Sequence, residues 1–180
     1  RGETLADRLR REKVIAHQEL LSILGQIADA LDVAHAVDIV HRDLKPENLF
    51  LVARDEGLLV KVLDFGMAKR LNTADPTVVT EVNTALGTPD YMSPEQLRSS
   101  REVSYKSDIW ALGVLTYRSL IGALPFTSST FAGLVVRITG GKYPKATTLA
   151  PQLPRQIDDW FDRCLALDPD ERFTSAGEAV

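Results

Sequence analysis

Within eight residues, His41-Arg42-Asp43-Leu44-Lys45-Pro46-Glu47-Asn48, the chain sets a carboxylate, an ammonium and an amide oxygen close together. A further carboxylate, in Asp64-Phe65-Gly66, follows sixteen residues after Asn48. Transferring a phosphoryl group asks mainly for positioning and charge neutralisation, because the transition state spreads negative charge over its oxygens. Asp43 has the chemistry of a general base for an attacking hydroxyl. Lys45 can neutralise the phosphoryl group as a point charge. Asn48 and Asp64 offer the hard oxygen ligands that magnesium requires.

Several elements must position these groups. Ile39-Val40 reads as a brief strand entering the first motif. Residues 49–52 and 58–63 are apolar and β-branched stretches separated by polar residues and Gly57, the pattern of a hairpin that would turn Asn48 and Asp64 toward one site. Leu20, Leu21, Leu24, Ile27, Ala28, Leu31 and Ala34 recur at helical spacing and predict a long amphipathic helix over 18–37, with a shorter one over 5–11 before it. Ser107-Asp108 open a second apolar helix through Ile109, Trp110, Leu112, Leu115 and Leu120, stopped by Gly122 to Pro125. Helices are also expected near 130–139 and 155–167, and 175–180 opens another. Residues 69–95 hold no period, are rich in Thr, Asp and Pro, and read as a long functional loop.

The two motifs, in this order and at this spacing, resemble the catalytic and metal-binding loops of the eukaryotic-type (Hanks-type) serine/threonine protein kinases. The resemblance implies Asp43 as base, Lys45 on the transferring phosphoryl group, Asn48 and Asp64 holding Mg2+, and Phe50 beneath the adenine ring of ATP. Lys45 itself matches the serine/threonine branch, which implies a protein substrate with a Ser or Thr acceptor. Arg42 matches the arginine that receives a phosphorylated residue of the activation loop; Thr73, Thr77, Thr80 and Thr84 are available, and Thr80 and Thr84 stand nearer the Gly87-Thr88-Pro89 turn. Gly87 to Glu95 resembles the substrate-docking turn followed by Ala-Pro-Glu, with Ser93 in place of Ala. Thr88 would bond near Asp43 and Lys45. Glu95 is expected to pair with Arg172, and Asp108 to brace the catalytic loop backbone. His41 and Phe65 match a packed column between lobes. His17 and His35 read as structural, and Lys61 as a solvated strand residue.

Bulk composition narrows the alternatives. With 180 residues, 44% hydrophobic and 26% charged, the chain suits one globular domain. A net charge of −4 argues against a nucleic-acid surface. No apolar run reaches the length of a membrane segment, and the first residues lack the core of a secretory signal. The single cysteine, Cys164, fits an apolar helical face and a reducing, cytoplasmic setting.

No Gly-x-Gly-x-x-Gly and no Val-Ala-x-Lys strand occurs in the sequence. The expectation is therefore an α+β kinase-like fold represented by its mostly helical C-lobe with a small β-hairpin, the N-lobe being absent and residues 1–180 truncated at both ends. The style of the loops resembles bacterial members. Such a chain alone is expected to bind Mg·ATP weakly, to turn over slowly or not at all, and to self-associate through apolar groups around Phe50 and Phe65. The competing reading is a non-catalytic, kinase-like interaction module, against which the retention of Asp43, Lys45, Asn48 and Asp64 together counts. A small-molecule phosphotransferase of kinase-like fold is disfavoured by the Gly-Thr-Pro…Pro-Glu turn.

Overall fold

A computed structural model describes residues 2–55, 57–65, 89–99 and 102–180. Strand β1 (Gly2–Thr4) leads into helix α1 (Leu5–Glu12). Thr4 caps that helix: its hydroxyl accepts from the Asp7 amide, and the Asp7 carboxylate accepts from the Thr4 amide. The helix begins at Leu5, as the spacing predicts, and the three residues before it form a strand that ends at the cap. β1 pairs antiparallel with β2 (Leu49–Arg54), which pairs antiparallel with β3 (Gly57–Val62), so the expected hairpin is two-thirds of a three-stranded sheet. Ile39-Val40 is not a strand; it runs as irregular chain into the first motif.

Helix α2 (His17–His35) buries Leu20, Ile23, Leu24, Ile27, Ala28 and Leu31, the stripe its periodicity predicts. It packs on β3, and Gln26 reaches the strand's outer edge, donating to the Leu58 carbonyl and accepting from the Val60 amide. Helix α3 (Pro94–Arg98) is short and capped by Ser93. Helix α4 (Tyr105–Ile121) is buried on all sides from Lys106 to Tyr117, which makes it the axis of the core. It begins two residues before the expected Ser107, because the Ser104 hydroxyl takes the Lys106 amide as its cap. Gly122 ends it in the left-handed region (φ 80°), as the sequence predicts. Helices α5 (Phe131–Gly140), α6 (Ala146–Leu149), α7 (Gln156–Cys164) and α8 (Ala176–Ala179) close the helical side. Asp32 of α2 ties α8 down by accepting the Ala176 and Gly177 amides.

No described helix is long and apolar enough to cross a membrane. Cys164 is fully buried between α7 and α4, and that burial pushes its thiol far above the ordinary range, in keeping with a packing role. The approach of the two helices is close: a Cβ on Gly113 would fall 2.7 Å from the Cys164 Cβ. Gly113→Ala is therefore expected to destabilise the fold by about 1–3 kcal/mol. Urea unfolding monitored by tryptophan fluorescence measures it; an unchanged midpoint would show that α4 and α7 can part without loss.

Candidate active site

The loop of the first motif has an unusual backbone. Arg42 has φ 69°, a left-handed conformation that disfavours side chains with a Cβ and costs on the order of 1–2 kcal/mol. The Asp108 carboxylate, fully buried on the first turns of α4, holds it there. One oxygen accepts the Arg42 amide (2.9 Å); the other accepts the His41 amide (2.9 Å) and faces His35 Nε2 (2.7 Å). Asp108 thus braces the loop as the resemblance implies. His35 is structural, as read, but its carboxylate partner lies 73 residues away and is not visible as a local pattern.

His41 joins this loop to the second motif. Its Nδ1 accepts from the Asp43 amide (3.3 Å), so its Nε2 carries the proton and donates to the Leu63 carbonyl (2.8 Å). The Leu63 amide in turn donates to the Asn48 carbonyl (2.8 Å). Both sides of the residue before Asp64 are therefore fixed by the loop from His41 to Asn48. The His41 ring meets Phe65 edge-on at 4.7 Å, the expected column contact. Asp64 is exposed and left-handed (φ 62°), a conformation Asp tolerates better than most residues.

The side chains converge at Asp43. Its carboxylate, about half exposed, accepts from Lys45 Nζ at 2.8 and 3.0 Å and from Asn48 Nδ2 at 3.1 Å. Asn48 Nδ2 also donates to the Asp43 carbonyl (2.8 Å). With its amide nitrogen engaged on the loop, buried Asn48 keeps Oδ1 as its remaining polar atom. An amide oxygen and the exposed Asp64 carboxylate are hard donors that suit Mg2+. Among the described residues no group of three or more His, Cys, Asp and Glu could hold a metal ion. Phe50 lies half-buried on the outer face of β2, its ring over Gly2 of β1, so close that a Cβ there would come within 2.5 Å of it. Lys61 is solvent-exposed on β3, as expected.

The far side of the site is locked by charge. Arg172 pairs with Glu95 through both guanidinium ends (2.7 and 2.9 Å), all but fully buried, and also donates to the Lys106 and Ala166 carbonyls. Ser107 donates to the same Glu95 (2.7 Å). Gln96, a residue the sequence analysis did not single out, reaches from α3 to the Arg42 carbonyl (2.7 Å). The Arg42 phosphate-receiving role, Gly66, Thr73, Thr77, Thr80, Thr84, Gly87 and Thr88 all involve positions 66–88, outside the described residues.

This arrangement of loops on a helical body is that of the protein kinase fold. The protein kinase domain profile matches residues 1–180, and the chain belongs to that family. It is 40% identical over 162 residues to the serine/threonine-protein kinase Pkn1 of Myxococcus xanthus, covering 89% of this chain and 23% of Pkn1. It is 36% identical to the serine/threonine-protein kinase PknH of Mycobacterium tuberculosis, covering 98% of this chain and 27% of PknH. The chain spans about a quarter of the length of these curated relatives. The crystal structure of Rad53 1-466 in complex with AMP-PNP superposes with a TM-score of 0.78 at 31% identity, covering 99% of this chain and 43% of that one. The kinase-like fold read from the motifs is thereby established, and bacterial relatives match the loop style noted above.

Burial pushes the Glu95 carboxyl up, but the Arg172 hydrogen bonds and charge, with the Ser107 hydroxyl, outweigh it and hold the group below the ordinary carboxylate range. A depressed folded value contributes stability above the unfolded value of about 4.3 and loses it as pH falls through the folded value. Arg172→Met, which strands the Glu95 charge, is expected to cost about 3–5 kcal/mol at pH 7 and less at pH 4, where Glu95 of the variant is protonated. Denaturant midpoints at the two pH values check this; an equal loss at both would mean the ion pair is not the cause.

Proposed function

We propose that this chain is the C-terminal lobe of a serine/threonine protein kinase, transferring the γ-phosphoryl group of ATP to Ser or Thr hydroxyls of a protein substrate. The observation that carries the reading is the Asp43 carboxylate, half exposed and held between Lys45 and Asn48 on a loop whose backbone is tied to the residue before Asp64. Asp43 orients the acceptor hydroxyl and takes its proton as the new P–O bond forms and the bond to the departing ADP oxygen breaks. Lys45 rests on Asp43 in the structure, and its charge would offset the charge that develops on the transferring phosphoryl group. Asn48 Oδ1 and the Asp64 carboxylate are the residues that would hold Mg2+, which when bound supplies charge neutralisation on the phosphates. Phe50 would form the apolar floor beneath adenine.

The sequence contains neither a glycine-rich phosphate loop nor a phosphate-binding lysine strand, and it spans under half of the Rad53 chain it superposes on. Both facts support one lobe of a two-lobed domain, with the sheet's outer face at Phe50, Val52 and Leu59 as the surface that meets the other lobe. The same face offers the isolated chain a route to self-association.

Two measurements test the proposal. Calorimetry of the isolated chain should find Mg·ATP binding at millimolar Kd or weaker, about −4 kcal/mol; micromolar affinity would contradict the half-site reading. In the full-length protein, Asp43→Asn should lower kcat by roughly 10²–10⁴ with KM for ATP little changed. Retained phosphotransfer would remove Asp43 as the base.

A further inference from the structure

We propose that Gln96 is a positioning residue for Asp43, an inference that rests on the phosphoryl-transfer reading of the loop. The two ends of its amide do different things. Oε1 accepts from the Ser93 amide (3.0 Å) and hydroxyl (3.2 Å), while the Ser93 hydroxyl accepts the Gln96 backbone amide (3.4 Å), closing the capping box of α3. Nε2 leaves that box altogether and donates to the Arg42 carbonyl, 54 residues earlier in the chain, at 2.7 Å. Capping alone does not need the nitrogen, because a glutamate at this position closes the same box.

The recipient of that bond is the strained residue of the loop. Backbone in the left-handed region persists at a non-glycine residue only when its surroundings over-determine it. The Arg42 amide is held by Asp108 Oδ1 (2.9 Å) from the α4 side. The carbonyl of the same residue belongs to the peptide unit that leads into Asp43, and Gln96 holds it from the α3 side. The amide of that unit, on Asp43, donates to His41 Nδ1 at only 3.3 Å, so the short Gln96 bond is the firmer of its two anchors. Rotation of this peptide plane swings the Asp43 Cα–Cβ bond and with it the carboxylate. Gln96 therefore couples the Ser93-Pro94-Glu95 segment to the orientation of the base through one hydrogen bond.

Gln96→Glu in the full-length protein separates the two roles: it keeps the acceptor for the capping box and replaces the donor by an oxygen facing the Arg42 carbonyl. The expected result is a folded protein with a slightly lowered melting temperature, KM for ATP unchanged, kcat lowered about tenfold, and an upfield move of the Arg42 carbonyl carbon resonance as it loses its donor. An Arg42 carbonyl resonance that stays in place overturns the contact whatever the activity. A moved resonance with unchanged kcat in an active wild-type protein overturns the positioning role alone. A wild-type protein without any phosphotransfer activity overturns the functional reading and this proposal with it, and the carbonyl resonance would still report whether the contact exists.

Discussion

A single buried carboxylate, Asp108, organises the loop from His41 to Asn48. It accepts two consecutive backbone amides, His41 and Arg42, and meets His35 Nε2, so a group that would be costly to bury alone is satisfied by three donors. In exchange the loop keeps Arg42 in a left-handed conformation that it would leave if free. The reversal at Arg42 turns Asp43 outward while leaving Leu44 buried beneath it. Without it the carboxylate, ammonium and amide of the loop would not share one face.

Rigidity then passes outward from α4 in two directions. Toward the sheet, His41 uses one ring nitrogen on the Asp43 amide and the other on the Leu63 carbonyl, so Asp43 and the residue before Asp64 are set by the same ring. Toward the helical side, Glu95 is clamped by Arg172 and Ser107, and Arg172 itself lies against Trp110 of α4 with its guanidinium carbon 5.0 Å from the ring. The pair is weak support for net stability. Its effect is positional, since it joins α3, α4 and the segment after α7 at one point. Helix α4 carries Ser107, Asp108 and Trp110 within about one turn near its start, and it is buried all round instead of amphipathic.

Much of this was legible in the residues. Chemistry-bearing groups on one short loop, and a helical period in α2, follow from local spacing, and Asp43, Lys45 and Asn48 do meet in the structure as that spacing implies. The Glu95–Arg172 pair came from resemblance alone, because 77 residues separate the partners. What escaped is what depends on tertiary context. Gly2–Thr4 is a strand because β2 offers it an edge, whereas Ile39-Val40, apolar and β-branched, pairs with no strand among the described residues and stays irregular. His35 and Gln96 look like ordinary helix residues in sequence; their partners lie 73 and 54 positions away. No periodicity reports a side chain that crosses from one element to another's backbone.

The most direct test of this account is hydrogen exchange at the His41 and Arg42 amides, compared between the wild-type chain and Asp108→Ala. Native protection at both amides should approach that of the α4 core, and the variant should lose it while the amides of α2 stay protected. Equal protection in the two proteins, or fast exchange of both amides in the wild type, would show that Asp108 does not hold the catalytic loop.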